Sequence, residues 1–91
     1  MYLGYEQETA TASEKTQADL TIPAEATHAE LQADTNDIRY TMDDTTTPTQ
    51  TSGMVLVSGA DPKLFVIDDI RRIRFVRGAG SDGELNVHYL G

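Results

Sequence analysis

Ile73-Arg74-Phe75-Val76-Arg77 and Glu84-Leu85-Asn86-Val87-His88-Tyr89, joined by Gly78-Ala79-Gly80-Ser81-Asp82-Gly83, decide the fold class. Ile73 and Phe75 share one face, and Arg72 and Arg74 the other. Leu85, Val87 and Tyr89 likewise alternate with Glu84, Asn86 and His88. A period of two is the signature of a half-buried strand, because successive side chains leave a pleated backbone on opposite faces. The glycine-rich link predicts a closing hairpin, residues 70–77 against 84–90. Pairing apolar with apolar, as in Phe75 with Leu85, needs residue numbers with an even sum, whereas a symmetric six-residue loop gives an odd one. A bulge or an odd-numbered loop is therefore expected there.

The same period runs outward through the chain. Ala29, Leu31 and Ala33 alternate with His28, Glu30 and Gln32, and Ile38, Tyr40 and Met42 with Arg39, Thr41 and Asp43. Asp34-Thr35-Asn36-Asp37 between them is a turn by composition, so these two stretches form the second expected hairpin. Met54-Val55-Leu56-Val57 and Lys63-Leu64-Phe65-Val66-Ile67 are short apolar runs of strand length, and Leu20-Thr21-Ile22 is a shorter alternation ending at Pro23. Twelve threonines, all within residues 9–51, favour extended backbone, since a branched Cβ restricts χ1 in a helix. Six to seven short strands at this spacing predict an all-β fold, a small antiparallel β-sandwich or barrel. Residues 1–19 are polar, with apolar side chains only at Tyr2, Leu3 and Tyr5. They read as an extended N-terminal arm or an edge strand, and residues 20–91 as a single β-domain.

Size and charge narrow the function. Ninety-one residues allow one domain with a modest core. With no cysteine, disulfides, thiolate nucleophiles and Cys-type zinc sites are excluded. No apolar run approaches the length of a membrane-spanning helix. The N-terminus lacks the basic and apolar regions of a secretory signal, and with its Met1 leads to the expectation of synthesis in a cytoplasm. Residues 1–62 carry eleven acids and two bases, net −9, and residues 63–91 five bases and four acids, net +1. An acidic chain is a poor nucleic-acid ligand, because phosphate affinity comes from Lys and Arg. The Arg72 and Arg74 stripe is suited instead to an acidic surface, its own or a neighbour's.

Candidate chemistry is sparse. Asp43-Asp44 and Asp68-Asp69 could offer oxygen ligands, but neither sits in a calcium loop and both read as turn-capping aspartates. His28 and His88 are isolated, and no serine lies in a nucleophile elbow, so both histidines read as half-exposed strand residues. Gly78-Ala79-Gly80 lacks the lysine and following helix of a phosphate loop. The four tyrosines are scattered in sequence, which gives weak support to a sugar-stacking platform. No catalytic residue, metal ligand or cofactor is therefore expected.

One longer stretch resembles a known family. Residues 28–33, then Ile38-Arg39-Tyr40-Thr41-Met42-Asp43, Thr47-Pro48-Thr49 and Gly53-Met54-Val55-Leu56, followed by Ile73–Gly78 and Gly83–Val87, resemble small tailed-phage virion proteins. The Tyr40–Thr49 stretch is also similar to a run in sandwich domains appended to chitobiase-type enzymes. The resemblance covers roughly residues 20–90 and implies a non-enzymatic β-domain that decorates or joins a phage particle. The expectation is a capsid decoration (cement) protein in the virion, working as a homo-oligomer on the major capsid protein or another virion protein, without nucleic acid or membrane. A head–tail, tail or fibre module, or a small carbohydrate-binding sandwich, is the alternative. Tyr2, Leu3 and Tyr5 in the arm, with Arg72 and Arg74, are the expected partner-binding residues.

Overall fold

The alternating stretches are strands, and their order in space defines the architecture. The computed structural model describes all 91 residues. It has β1 (Tyr2–Ala10), β2 (Lys15–Thr16), β3 (His28–Asp34), β4 (Ile38–Thr41), β5 (Met54–Leu56), β6 (Lys63–Val66), β7 (Arg74–Arg77) and β8 (Gly83–Leu90). A 3-10 turn, Gln17–Asp19, follows β2, and one helical turn, α1 (Ile67–Ile70), follows β6. One antiparallel sheet has the order β1-β8-β3-β6 and the other β2-β7-β4-β5. The chain is all-β, as expected, with eight strands rather than six or seven.

The pairs β1–β8, β2–β7, β3–β6 and β4–β5 describe a two-stranded ribbon folded back on itself. The ribbon is rolled so that β8 also pairs with β3 and β7 with β4. This is the pairing order of a jelly roll, a double-sheet sandwich of eight strands. Only β4–β5 joins consecutive strands.

Both expected hairpins are therefore corrected. β7 and β8 lie in opposite sheets, as do β3 and β4. Alternation says which face of a strand is buried, not whether its apolar set meets a neighbour beside it or across the core. The two connections are corners laced together: Gly78 N donates to the Asp37 carbonyl at 2.7 Å, and Asn36 Nδ2 to the Asp82 carbonyl at 2.9 Å. A Cβ on Gly78 would lie 2.9 Å from the Asp37 backbone, and one on Gly83 2.8 Å from the Asn36 carbonyl oxygen. These glycines permit close approach of two corners rather than a hairpin turn. The expected register irregularity falls instead in β1, between Tyr2 and Gly4.

Two further differences are local. Residues 67–70 form α1, with Ile67 and Ile70 buried on one side, three residues apart. Residues 20–22 are not a strand, although Leu20 is buried.

The segment read as an arm is extended, but it is built into the domain. β1 pairs along β8 from Tyr2–Leu90 to Ala10–Gly83, and β2 pairs with β7. Its second half is fixed by a capping box: Thr16 Oγ1 accepts from Ala18 N, and Asp19 Oδ2 from Thr16 N.

The core fills the space between the sheets. Leu85, Val87 and Tyr89 from β8 share one buried cluster with Ile38, Phe75 and the isoleucines of the α1 region, with Ile73, Phe75, Leu85, Val87 and Tyr89 all essentially inaccessible, as the alternation predicts. Each such side chain contributes about 1.5–3 kcal/mol by its burial. Ala29 is a poor strand former, yet it fits because its neighbours are Tyr89 on one side and Phe65 on the other. The Tyr89 hydroxyl donates to Glu6 Oε2 at 2.5 Å, so β1 satisfies the one polar atom that β8 brings inside.

Deleting residues 1–8 should therefore cost the domain about 3–5 kcal/mol, from lost ladder hydrogen bonds of about 1 kcal/mol each. Urea denaturation checks this, and an unchanged midpoint would return the segment to the status of a free arm.

Burial, then the hydrogen bond to Glu6 and its charge, push the Tyr89 hydroxyl above the usual tyrosine range. A group whose folded pKa is raised contributes stability that is intact below its unfolded value and lost above it. Stability should thus hold to about pH 10 and then fall, by up to about 1.4 kcal/mol per pH unit for this phenol. Tyr89→Phe should make the alkaline fall shallower in thermal melts, leaving a residue from Tyr40, which burial also raises.

Candidate functional site

The outer face of the β1-β8-β3-β6 sheet collects side chains from both ends of the sequence. Registers place Tyr2, Leu90, His28 and Val66 in one row across all four strands. The next row is Tyr5, His88, Glu30 and Leu64, followed by Gln7, Asn86 and Gln32. Tyr2 and Tyr5 are 61% and 56% exposed. Their ring centroids lie 4.8 and 5.2 Å from that of His88, one tilted and one edge-on, within the range of favourable aromatic pairs.

Polar groups hold these rings in place. Tyr2 Oη donates to Glu30 Oε1 at 2.9 Å, and this acceptor with its charge raises the Tyr2 hydroxyl above its ordinary range. Tyr5 Oη and Gln7 Nε2 both donate to Asn86 Oδ1, at 2.8 and 2.9 Å. Gln32 Nε2 donates to the Ala60 carbonyl at 3.1 Å. Between them lies an open depression of about 170 Å³ lined by Tyr5, Glu30, Gln32, Asn86 and His88, with Pro62 as a wall.

The opposite face, outside the β2-β7-β4-β5 sheet, is different. Arg74 Nη1 pairs with Glu14 at 3.3 Å, and Nη2 donates to the Asp44 carbonyl at 2.7 Å. Thr41 Oγ1 donates to the Thr46 carbonyl, and Arg39 Nη1 to the Gly53 carbonyl at 2.9 Å. The threonine-rich loop thus folds back over its own sheet. Asp43 organises it, accepting from Thr45 N, Thr46 N and Thr46 Oγ1, which hold its carboxyl well below the usual range. Glu14 is also lowered, chiefly by a hydrogen bond from Thr47 and then by Arg74.

The five expected partner-binding residues therefore separate. Tyr2 and Tyr5 sit together on the outer face of the larger sheet. Leu3 turns the other way and packs against the core. Arg72 is exposed beyond α1, whereas Arg74 is engaged within the domain. Arg74 does not share a face with Glu84, Asn86 and His88, since those belong to the other sheet. The sequence reading missed His88, Glu30, Gln32 and Asn86 as neighbours of the tyrosines. Their outward parity was readable, but residues 5 and 88 meet only through the β1–β8 pairing.

No family model matches the chain, nor does any curated protein or solved structure.

Arg74→Ala should destabilise the domain by about 1–3 kcal/mol, because two acceptors lose a charged donor. It should also speed hydrogen exchange in residues 43–53. Arg72→Ala should change stability by less than about 0.5 kcal/mol. Equal effects of the two variants in denaturant melts would contradict this division.

Proposed function

We propose that this chain is a non-enzymatic structural protein of a tailed-phage particle, a capsid decoration protein that binds the head surface as one of many copies. The sequence resemblance supplies the virion assignment. Its motif residues have structural work here: Tyr40 is core, Asp43 caps the loop, Pro48 is buried, and Gly53 takes a φ of 109° against Pro48 and the Tyr40 carbonyl. The jelly roll is also an architecture of viral capsid and lectin domains, which agrees with the reading by analogy of fold alone.

The observation that carries docking is the contrast between the two sides of the sandwich. On the β1 side, Glu6 and Glu8 point inward at the sheet edge, where Glu6 accepts from Thr21 N and Tyr89 Oη and Glu8 pairs with Lys15 at 2.7 Å. Inward charges of this kind block pairing with another strand. On the opposite side, the edge strands β5 and β6 and the residue after β5 carry exposed apolar side chains: Met54 and Val57 at 62% and 56%, Leu64 and Val66 at 61% and 48%. Strand addition to β6 gives a partner backbone hydrogen bonds, and these side chains give it apolar contact. Repetition over a lattice converts a small contact into stable occupancy.

Val57→Lys combined with Val66→Lys tests this. Both positions are exposed, so the melting temperature should stay within a few degrees, while occupancy on purified particles, counted by cryo-EM, should fall at least tenfold. Undiminished occupancy, or a few copies at the neck, tail or fibres, would contradict the reading.

A further inference from the structure

Strand addition at β6 lies in the plane of the sheet and leaves its outer face open, and that face has a chemistry of its own. The three rows given above carry two tyrosines, two histidines, three side-chain amides, one carboxylate and the aliphatic Leu64, Val66 and Leu90, with no lysine or arginine among them. An anionic ligand would need cations. A purely apolar partner would leave the amides unpaired at a cost.

We propose that the depression between Tyr5, His88, Asn86, Gln32 and Glu30 is a binding site for one ring of a neutral glycan. The hydrogen-bonding capacity left over is mixed. Neither ring nitrogen of His88 has a protein partner, and the second carboxylate oxygen of Glu30 and the second N–H of Gln32 are likewise unused. Sugar hydroxyls both donate and accept, so they can use the whole set, whereas an ionised phosphate or carboxylate would be repelled by Glu30 and leave its oxygen unpaired. The exposed tyrosine rings offer an electron-rich surface to the apolar C–H face of a pyranose.

The site is also preorganised. The Tyr5 ring is fixed at one end by Asn86 Oδ1 and flanked by His88, and Asn86 is fixed by Gln7. Little side-chain entropy remains to be lost on binding. A volume of about 170 Å³ is below the roughly 300 Å³ that encloses a drug-sized ligand, and it is open on one side. It suits one sugar ring of a longer chain lying across the strands, with Kd in the millimolar range for a short oligosaccharide. This inference does not depend on the virion reading, and a glycan-binding chain outside a phage would satisfy it equally.

The test is NMR titration of the 15N-labelled full chain with a panel of neutral oligosaccharides, each taken to about ten times the expected Kd. The expected result is saturable shifts at Tyr5, Gln32, Asn86 and His88. Affinity should drop at least tenfold in Tyr5→Ala and in Gln32→Ala, whose side chains are on different strands, with melting curves confirming that each folds. Three outcomes overturn the proposal: no neutral glycan binds, the shifts centre elsewhere, or the variants bind like the parent. Shifts at the same residues that depend on protein concentration alone would assign the face to a second copy of the chain, and would overturn it too.

Discussion

Strand β8 is the constraint on which the rest of the molecule depends. It is the longest strand paired on both sides, with β1 along its length and with β3 from Leu90 to Glu84. Its inward residues, Leu85, Val87 and Tyr89, are the middle of the core, and its outward residues, Asn86 and His88, are the middle of the tyrosine-bearing face. One alternating sequence therefore fixes the packing and the candidate site together. A shift of one residue in register would bury Asn86 and His88 and expose Val87, at a cost of several kcal/mol.

The roll around β8 also explains how unequal the two sides are. Rolling leaves β1 and β6 as edges of the larger sheet. The β1 edge is closed to other strands by inward glutamates whose charges are used within the domain, on Tyr89, Thr21 and Lys15. The β5 and β6 side carries one such charge, Lys63 opposite Leu31 at the start of β6, followed by the exposed Leu64 and Val66, and its closure comes from Tyr40 against Phe65, ring centroids 5.9 Å apart across the sheets. On the proposed reading, this inequality directs attachment to the β5 and β6 side and leaves the broad face free for the proposed glycan contact.

The sequence made the fold class legible because period-two alternation depends only on local chemistry. Leu85, Val87 and Tyr89 could be assigned inward without knowing any partner. Partner choice could not be read, because β7–β8 and β3–β4 each satisfy the same alternation as a hairpin or as an arch between sheets. What decides for the arch is the meeting of Gly78 and Gly83 with the Asp37 and Asn36 backbone, more than forty residues away. The site was hidden for the same reason. Tyr5, Gln32 and Asn86 are separated by most of the chain, and only the β1-β8-β3 order makes them neighbours. Composition suggested a tether at residues 1–19, since so few apolar groups cannot offset ordering entropy. The missing term is the backbone ladder with β8 together with Glu6 on Tyr89.

Cross-strand backbone NOEs in a 15N,13C-labelled sample test the β8-centred roll most directly. The expected contacts are Gln7 with Asn86 and Asn86 with Gln32, alongside Phe75 with Tyr40, and none between the backbones of Phe75 and Leu85. A backbone contact between residues 74–77 and 84–88 would restore the closing hairpin, separate β8 from β1 or β3, and contradict both the roll and the site built on it.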